Sequence, residues 1–193
     1  MDSLRFYICA MIIKNGDNLR VRLKSDTVAA HNRVDAVMAG FDLTTASGLS
    51  RFLQIHHTAL QQTMPKLRQC GYDFEPLPAL IEADLAALGH SSEDAAPLSE
   101  QQLAGEALGY AYVVAGSHMG SKILNKRRLR SSDANVLRAG RYLVRENADL
   151  TWRLLTEQLQ KLDANGEAQD LIVAGALACF RCFENAAMTE GNA

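Results

Sequence analysis

The chain is poor in the residues that build disulfide-stapled folds, nucleic-acid interfaces or membrane spans. Its 193 residues hold four cysteines, Cys9, Cys70, Cys179 and Cys182. That is too few for a disulfide framework at this length and suits a reducing, cytoplasmic setting. Cys179-Phe-Arg-Cys182 has metal-like spacing, but no second pair accompanies it, and its apolar helical context points to buried thiols. Aromatic residues make up 6% of the chain and the net charge is −2, so neither a positive field nor an aromatic-studded basic face draws it to nucleic acid. The apolar run Leu4–Ile13 is about half the length a bilayer helix needs, and no small-residue cleavage site follows it. Residues 1–18 read as an N-terminal extension, and no membrane association is expected. The four prolines all lie between Pro65 and Pro97, and no segment alternates β-branched residues, which excludes a sheet protein.

What remains is helical periodicity. The spacing predicts helices at about 17–38, 48–69, 77–89, 99–127, 133–145, 147–163 and 167–188. Thr44-Thr45-Ala-Ser47 supplies an N-cap region, Gly71 a C-cap, and Asn165-Gly166 a turn between helices. Hydrophobic residues at 48% and charged residues at 22% permit one ordinary core. The expectation is an all-α, single-domain bundle over residues 19–190.

Two features carry chemistry. Gly105, Gly109, Gly116 and Gly120 would lie within roughly 60° of one another on the 99–127 helix. A glycine inside a helix costs about 1 kcal/mol relative to alanine, so something must approach that backbone closely: another helix or a large flat ligand. On the first helix, Lys24, His31 and Asp35 share a face, with Lys24 about 10 Å along the axis from His31. A neutral imidazole is the usual protein ligand of heme iron, and Asp35 at i+4 can hold its second nitrogen. Taken alone, this spacing also suits a surface helix with an ordinary histidine.

Together, these segments resemble the biliverdin-producing heme oxygenases, and most of all the bacterial ones that accompany bacteriophytochromes. Leu23-Lys24-Ser-Asp-Thr-Val-Ala-Ala-His31-Asn-Arg-Val-Asp35 is similar to the family's proximal helix. Phe52-Leu-Gln-Ile-His56 and Leu80-Ile-Glu-Ala-Asp84-Leu-Ala-Ala-Leu88-Gly89 match its next two helices. Leu108-Gly-Tyr-Ala-Tyr-Val-Val-Ala-Gly116-Ser117-His-Met-Gly120-Ser121 resembles its kinked distal helix. The resemblance implies a heme-oxygenase-like fold that cleaves heme, both substrate and cofactor, to biliverdin, CO and ferrous iron with O2 and electrons from a reductase or ferredoxin. It implies His31 as the iron ligand oriented by Asp35, and Gly116, Ser117 and Gly120 as the catalytic distal wall with water near Ser117. Lys24 and Arg153 would meet the propionates, and Ser121 would line the pocket, where its bulk would crowd it. Biliverdin would pass to a bacteriophytochrome. The chain departs from the family at Ala115, where bacterial members often carry an acid, and at Ser121, where many carry glycine. A non-catalytic heme- or tetrapyrrole-binding protein and a heme-free helical interaction module remain alternatives on the same scaffold.

Other candidates have plainer readings. His118 lies about 200° around the helix from Gly116, at the surface or the core rim. His56 and His57 point to different sides of their helix and form no metal pair. Lys122, Lys126, Arg127, Arg128 and Arg130 read as a solvated basic helix end or as a docking patch for an acidic electron donor such as ferredoxin. Tyr110, Tyr112, Trp152, Phe180 and Phe183 read as core or pocket lining.

Overall fold

The structure is a computed structural model that describes residues 18–92, 96–99 and 102–191. The apolar run Leu4–Ile13 and Cys9 lie outside the described residues. Among those described, seven helices run in order: α1 (Leu19–Ala39), α2 (Ala46–Leu67), α3 (Pro76–Ala87), α4 (Ala107–Arg128), α5 (Ala134–Arg138), α6 (Ala148–Gln160) and α7 (Glu167–Gly191). A single isolated bridge, Asn18 to Asp163, is the only strand-like pairing among them. The expected all-α class is what forms.

Local chemistry fixes the ends. The Asn18 side chain caps α1 by accepting the Val21 N–H at 3.2 Å, while the Leu19 N–H donates to the Leu162 carbonyl at 3.0 Å and ties α1 to the end of α6. Thr45 caps α2 through its hydroxyl, which accepts the Gly48 N–H at 3.1 Å. Pro76 opens α3 in the first turn, where its missing N–H is harmless. Gly71, Gly89 and Gly166 all adopt positive φ in the turns after α2, α3 and α6. The first of these lies beyond the αR residue Arg68 that closes α2, so Gly71 shapes the connection rather than capping the helix.

The last helix is the keel, and α1, α2 and α4 all pack along it. Glu167–Thr189 has a mean hydropathy of 1.4 and is long and apolar enough to cross a membrane, yet 61% of it is buried by its neighbours. That composition is what a helix packed on several sides requires. Cys179 and Cys182 lie in it as buried free thiols, as expected, and burial pushes both thiols up, Cys182 to about 11.

Two expected helices differ from those found. The 99–127 helix begins only at Ala107, because Gly105 takes a left-handed φ of 78° and turns the chain around α7. The Glu106 N–H donates there to the Leu171 carbonyl at 2.9 Å, a bond a continuing helix could not make. The 133–145 helix stops at Arg138. The buried carboxylate of Asp84 accepts the N–H groups of Arg141 and Tyr142 at 3.0 and 2.9 Å, and Arg128 Nη1 donates to the Val136 and Leu137 carbonyls at 2.6 and 2.9 Å. These bonds take the groups that would have continued the ladder. Arg128 is therefore buried, not part of a surface basic patch.

The glycine stripe accordingly divides. A methyl carbon built at Gly105 would overlap the Gly175 backbone, one at Gly109 would overlap the Ile172 carbonyl, and one at Gly175 would overlap the Glu106 carbonyl. Those three let α4 and α7 touch backbone to backbone. A methyl carbon at Gly120 would have nothing within 4 Å. Gly109→Ala should therefore destabilise the fold by about 3 kcal/mol. Gly120→Ala should stabilise it by up to about 1 kcal/mol through helix propensity. Thermal melts of the two variants check this contrast, and similar melting temperatures would contradict it.

Candidate functional site

The buried stripe of α1 (Leu19, Leu23, Thr27, Ala30 and Met38) faces the core. His31 sits just outside it, with 55% of its side chain exposed. Its Nδ1 stands 3.3 Å from Asp35 Oδ2, and its ring meets Phe180 of α7 edge-on at 5.8 Å. The i+4 spacing thus brings the Asp35 carboxylate to one ring nitrogen, Nδ1. Lys24 is exposed on the same side, as are Val21 and Val28, large apolar residues without cover. Positions 21, 24, 28, 31 and 35 form one continuous exposed stripe at helical spacing.

A second uncovered stripe runs along α4. Gly116, Met119, Gly120 and Ile123 follow i, i+3, i+4, i+7 spacing, and Met119 and Ile123 are 52% and 61% exposed. At Gly116 the edge of Trp152 from α6 comes so near that a methyl carbon would lie 3.2 Å from Cζ3. Trp152 in turn packs on Tyr112 at 5.6 Å between ring centroids. Arg20 of α1 lies near enough to the Tyr112 phenol to oppose the rise that burial imposes on it. Both stripes thus belong to helices that lean on α6 and α7.

Beneath α4 lies a polar cluster. The Ser117 hydroxyl donates to the Val114 carbonyl at 2.8 Å and also interacts with the buried Tyr142 hydroxyl. Arg145 lies over the Tyr142 ring at 4.9 Å. His56 packs 5.4 Å from the same ring and 4.2 Å from Phe52, with its Nδ1–H donating to the Phe52 carbonyl at 2.8 Å. Burial pushes His56 down to about 4, with Arg145 adding to the shift. His57 is also buried, its Nε2 at 3.1 Å from Glu82 Oε1, so the pair packs rather than ligates. No group of histidine, cysteine and acidic residues suited to a metal ion occurs among the described residues.

The remaining expected residues sit as follows. Ser121 is buried, and Arg153 is exposed, 4.0 Å from Glu157. His118 is buried, contrary to the surface or rim position expected, because the start of α6 covers it. Its Nε2 lies 3.6 Å from Asp149 Oδ1. Asp149 also accepts from Lys122 at 2.9 Å. Tyr142, Arg145 and Asp84 were not singled out as site residues. Their arrangement depends on the break after Arg138, whose one local signal is Gly140.

A search of solved structures finds the same architecture. A heme oxygenase from Neisseria meningitidis, solved in NO- and CO-bound forms, matches with a TM-score of 0.70, 21% identity, and coverage of 91% of this chain and 92% of that one. The chain has the heme oxygenase fold. No protein-family model and no curated protein sequence matches it.

The buried, neutral His56 has a consequence for stability. Its folded value of about 4 lies below the ordinary 6.5, so stability is complete above pH 6.5. It is lost as pH falls from 6.5 to 4, while the unfolded chain gains a proton that the folded one refuses. The full loss is about 3 kcal/mol at most, and the buried His118, also shifted down by burial, adds to it in the same direction. Urea unfolding between pH 7 and pH 4 measures this slope, and His56→Phe should flatten it.

Proposed function

We propose that the two exposed stripes bound one slot for heme and that the protein is a heme oxygenase, converting heme to biliverdin, CO and ferrous iron. The observation that carries the reading is the pair of uncovered apolar faces on a shared support, one bearing an imidazole and the other lacking side chains at Gly116 and Gly120. The residues present fit a flat iron porphyrin. Asp35 holds Nδ1 of His31 and leaves Nε2 for the metal, while Val21, Val28, Met119 and Ile123 offer apolar contact that would otherwise stay in water. The open space at Gly120 admits a disc where a larger side chain would intrude.

Bound heme supplies the iron at which O2 is reduced and the ring that is opened. The chain's own residues do the rest. His31 binds and Asp35 orients it, Lys24 and Arg153 supply cations for the propionates, and the Trp152 edge closes one side beside Gly116. Ser117, with its hydroxyl linked to Tyr142, holds ordered water at the distal wall and passes protons from there. A neutral imidazole gives less push toward O–O cleavage than a thiolate. A glycine wall brings no side-chain acid to force it. The electron donor is a ferredoxin or reductase, and a bacteriophytochrome is a receiver for the product.

Mixing with hemin should give one equivalent of bound heme with a sharpened Soret band, and His31→Ala should abolish that iron ligation. Ascorbate or a ferredoxin system in air should then replace the Soret band with bilin absorption, and Ser117→Ala should slow this by about tenfold or more. A Soret band that persists under reduction in air identifies a heme carrier. No band on mixing with hemin identifies a heme-free module.

A further inference from the structure

A cavity of about 500 Å³ opens where the start of α3 meets the 141–148 segment, and none of its lining residues belongs to the stripes of α1 and α4 described above. Its volume falls in the range of small-molecule sites. Phe74 and Leu77, both nearly buried, form an apolar floor with Leu80, and Val144 stands at the mouth, 56% exposed.

The lining carries two arginines and two acids, Arg141, Arg145, Asp73 and Glu146, and among the described residues no ion pair joins any two of them. Arg145 bonds to neutral oxygens, donating to the carbonyls of Tyr142 at 3.3 Å and Val114 at 3.4 Å and to the Tyr142 hydroxyl, and its guanidinium lies over the Tyr142 ring. Among the described residues no carboxylate forms an ion pair with it. Arg141, by contrast, lies 3.7 Å from Asp84 and has its counter-charge. The lining acids do not supply one for Arg145. Asp73 accepts the Glu75 N–H at 3.1 Å, and the Glu146 side chain is exposed. The N-terminus of the 13-residue helix α6 opens onto the same space. Asn147 there is left-handed and makes no side-chain cap, so the first N–H groups of α6 gain no side-chain acceptor.

A guanidinium without an ion-paired carboxylate, helix amides without a side-chain cap and an apolar floor together select one chemistry. We propose that this cavity binds a small carboxylate with an apolar body, of the alkanoate class. The carboxylate meets Arg145 and the first amides of α6, and the chain lies over Phe74, Leu77 and Val144. A planar guanidinium takes a carboxylate in paired bonds, and an amide of the same length cannot replace it. No residue given a role in the heme slot lines this cavity, although Arg145 shares the Tyr142 hydroxyl with Ser117.

Decanoate and decanamide, each titrated into methyl-labelled protein and followed by NMR, test it. Decanoate should shift the Leu77, Leu80 and Val144 methyl signals saturably, with a midpoint below about 1 mM. Decanamide should bind at least about tenfold more weakly. Arg145→Gln should weaken decanoate by a similar factor. Val144→Glu, a change at an exposed position, does so by repulsion should the arginine variant fail to fold. Equal binding of acid and amide, absence of saturation, or shifts confined to Val21, Val28 and Ile123 would overturn the proposal.

Discussion

The close approach of α4 to α7 governs the rest of the molecule. Helices packed through side chains stand about 8–10 Å apart. Here Gly105 and Gly109 meet Gly175 and the Ile172 carbonyl with no side chain between them. Drawing α4 down onto the keel at its N-terminal end leaves its later turns, from Gly116 to Ile123, to be supported from the side by α6, through Trp152 beside Gly116 and Asp149 beside His118 and Lys122. The outer face of those turns, Met119, Gly120 and Ile123, stays exposed. The cost of glycine within a helix is thus met by contact at one end and by vacancy at the other.

A second constraint holds the region behind α4. Asp84 and Arg128, both buried, bond to the backbone of residues 136–142 and not to each other directly, and Asp84 also lies 3.7 Å from Arg141. Burial raises the Asp84 carboxyl and lowers the Arg128 guanidinium, and each one's charge offsets part of the other's shift. Gly140 fits because Arg128 occupies the space a methyl group would need. From this clasp hang Tyr142 and Arg145, which reach Ser117 on one side and the 500 Å³ cavity on the other.

The parts of this arrangement that were legible in the sequence are those governed by local period. The face carrying Lys24, His31 and Asp35, the cap at Thr45, the turn at Gly166, and the buried thiols of α7 follow from spacing within one segment. The rest depended on partners far along the chain. Gly105 and Gly109 read like Gly116 and Gly120 because periodicity cannot say what lies opposite, and Gly175 is seventy residues from Gly105. The end of α5 was missed despite Gly140, because the carboxylate that takes the next N–H groups belongs to α3. Arg128 counted as a surface charge because a basic cluster at a helix end normally is one. The site residues themselves rest on resemblance and on the two stripes, and what joins them is still a proposal.

The chain contains one tryptophan, and its indole edge lies against Gly116. All of the protein's tryptophan emission therefore originates at a single point on the bare wall of α4. Any visible-absorbing guest lodged there would drain that emission by energy transfer, and any change in the wall's hydration would shift its colour, so the molecule carries a built-in optical reporter at the place where its chemistry is most in question.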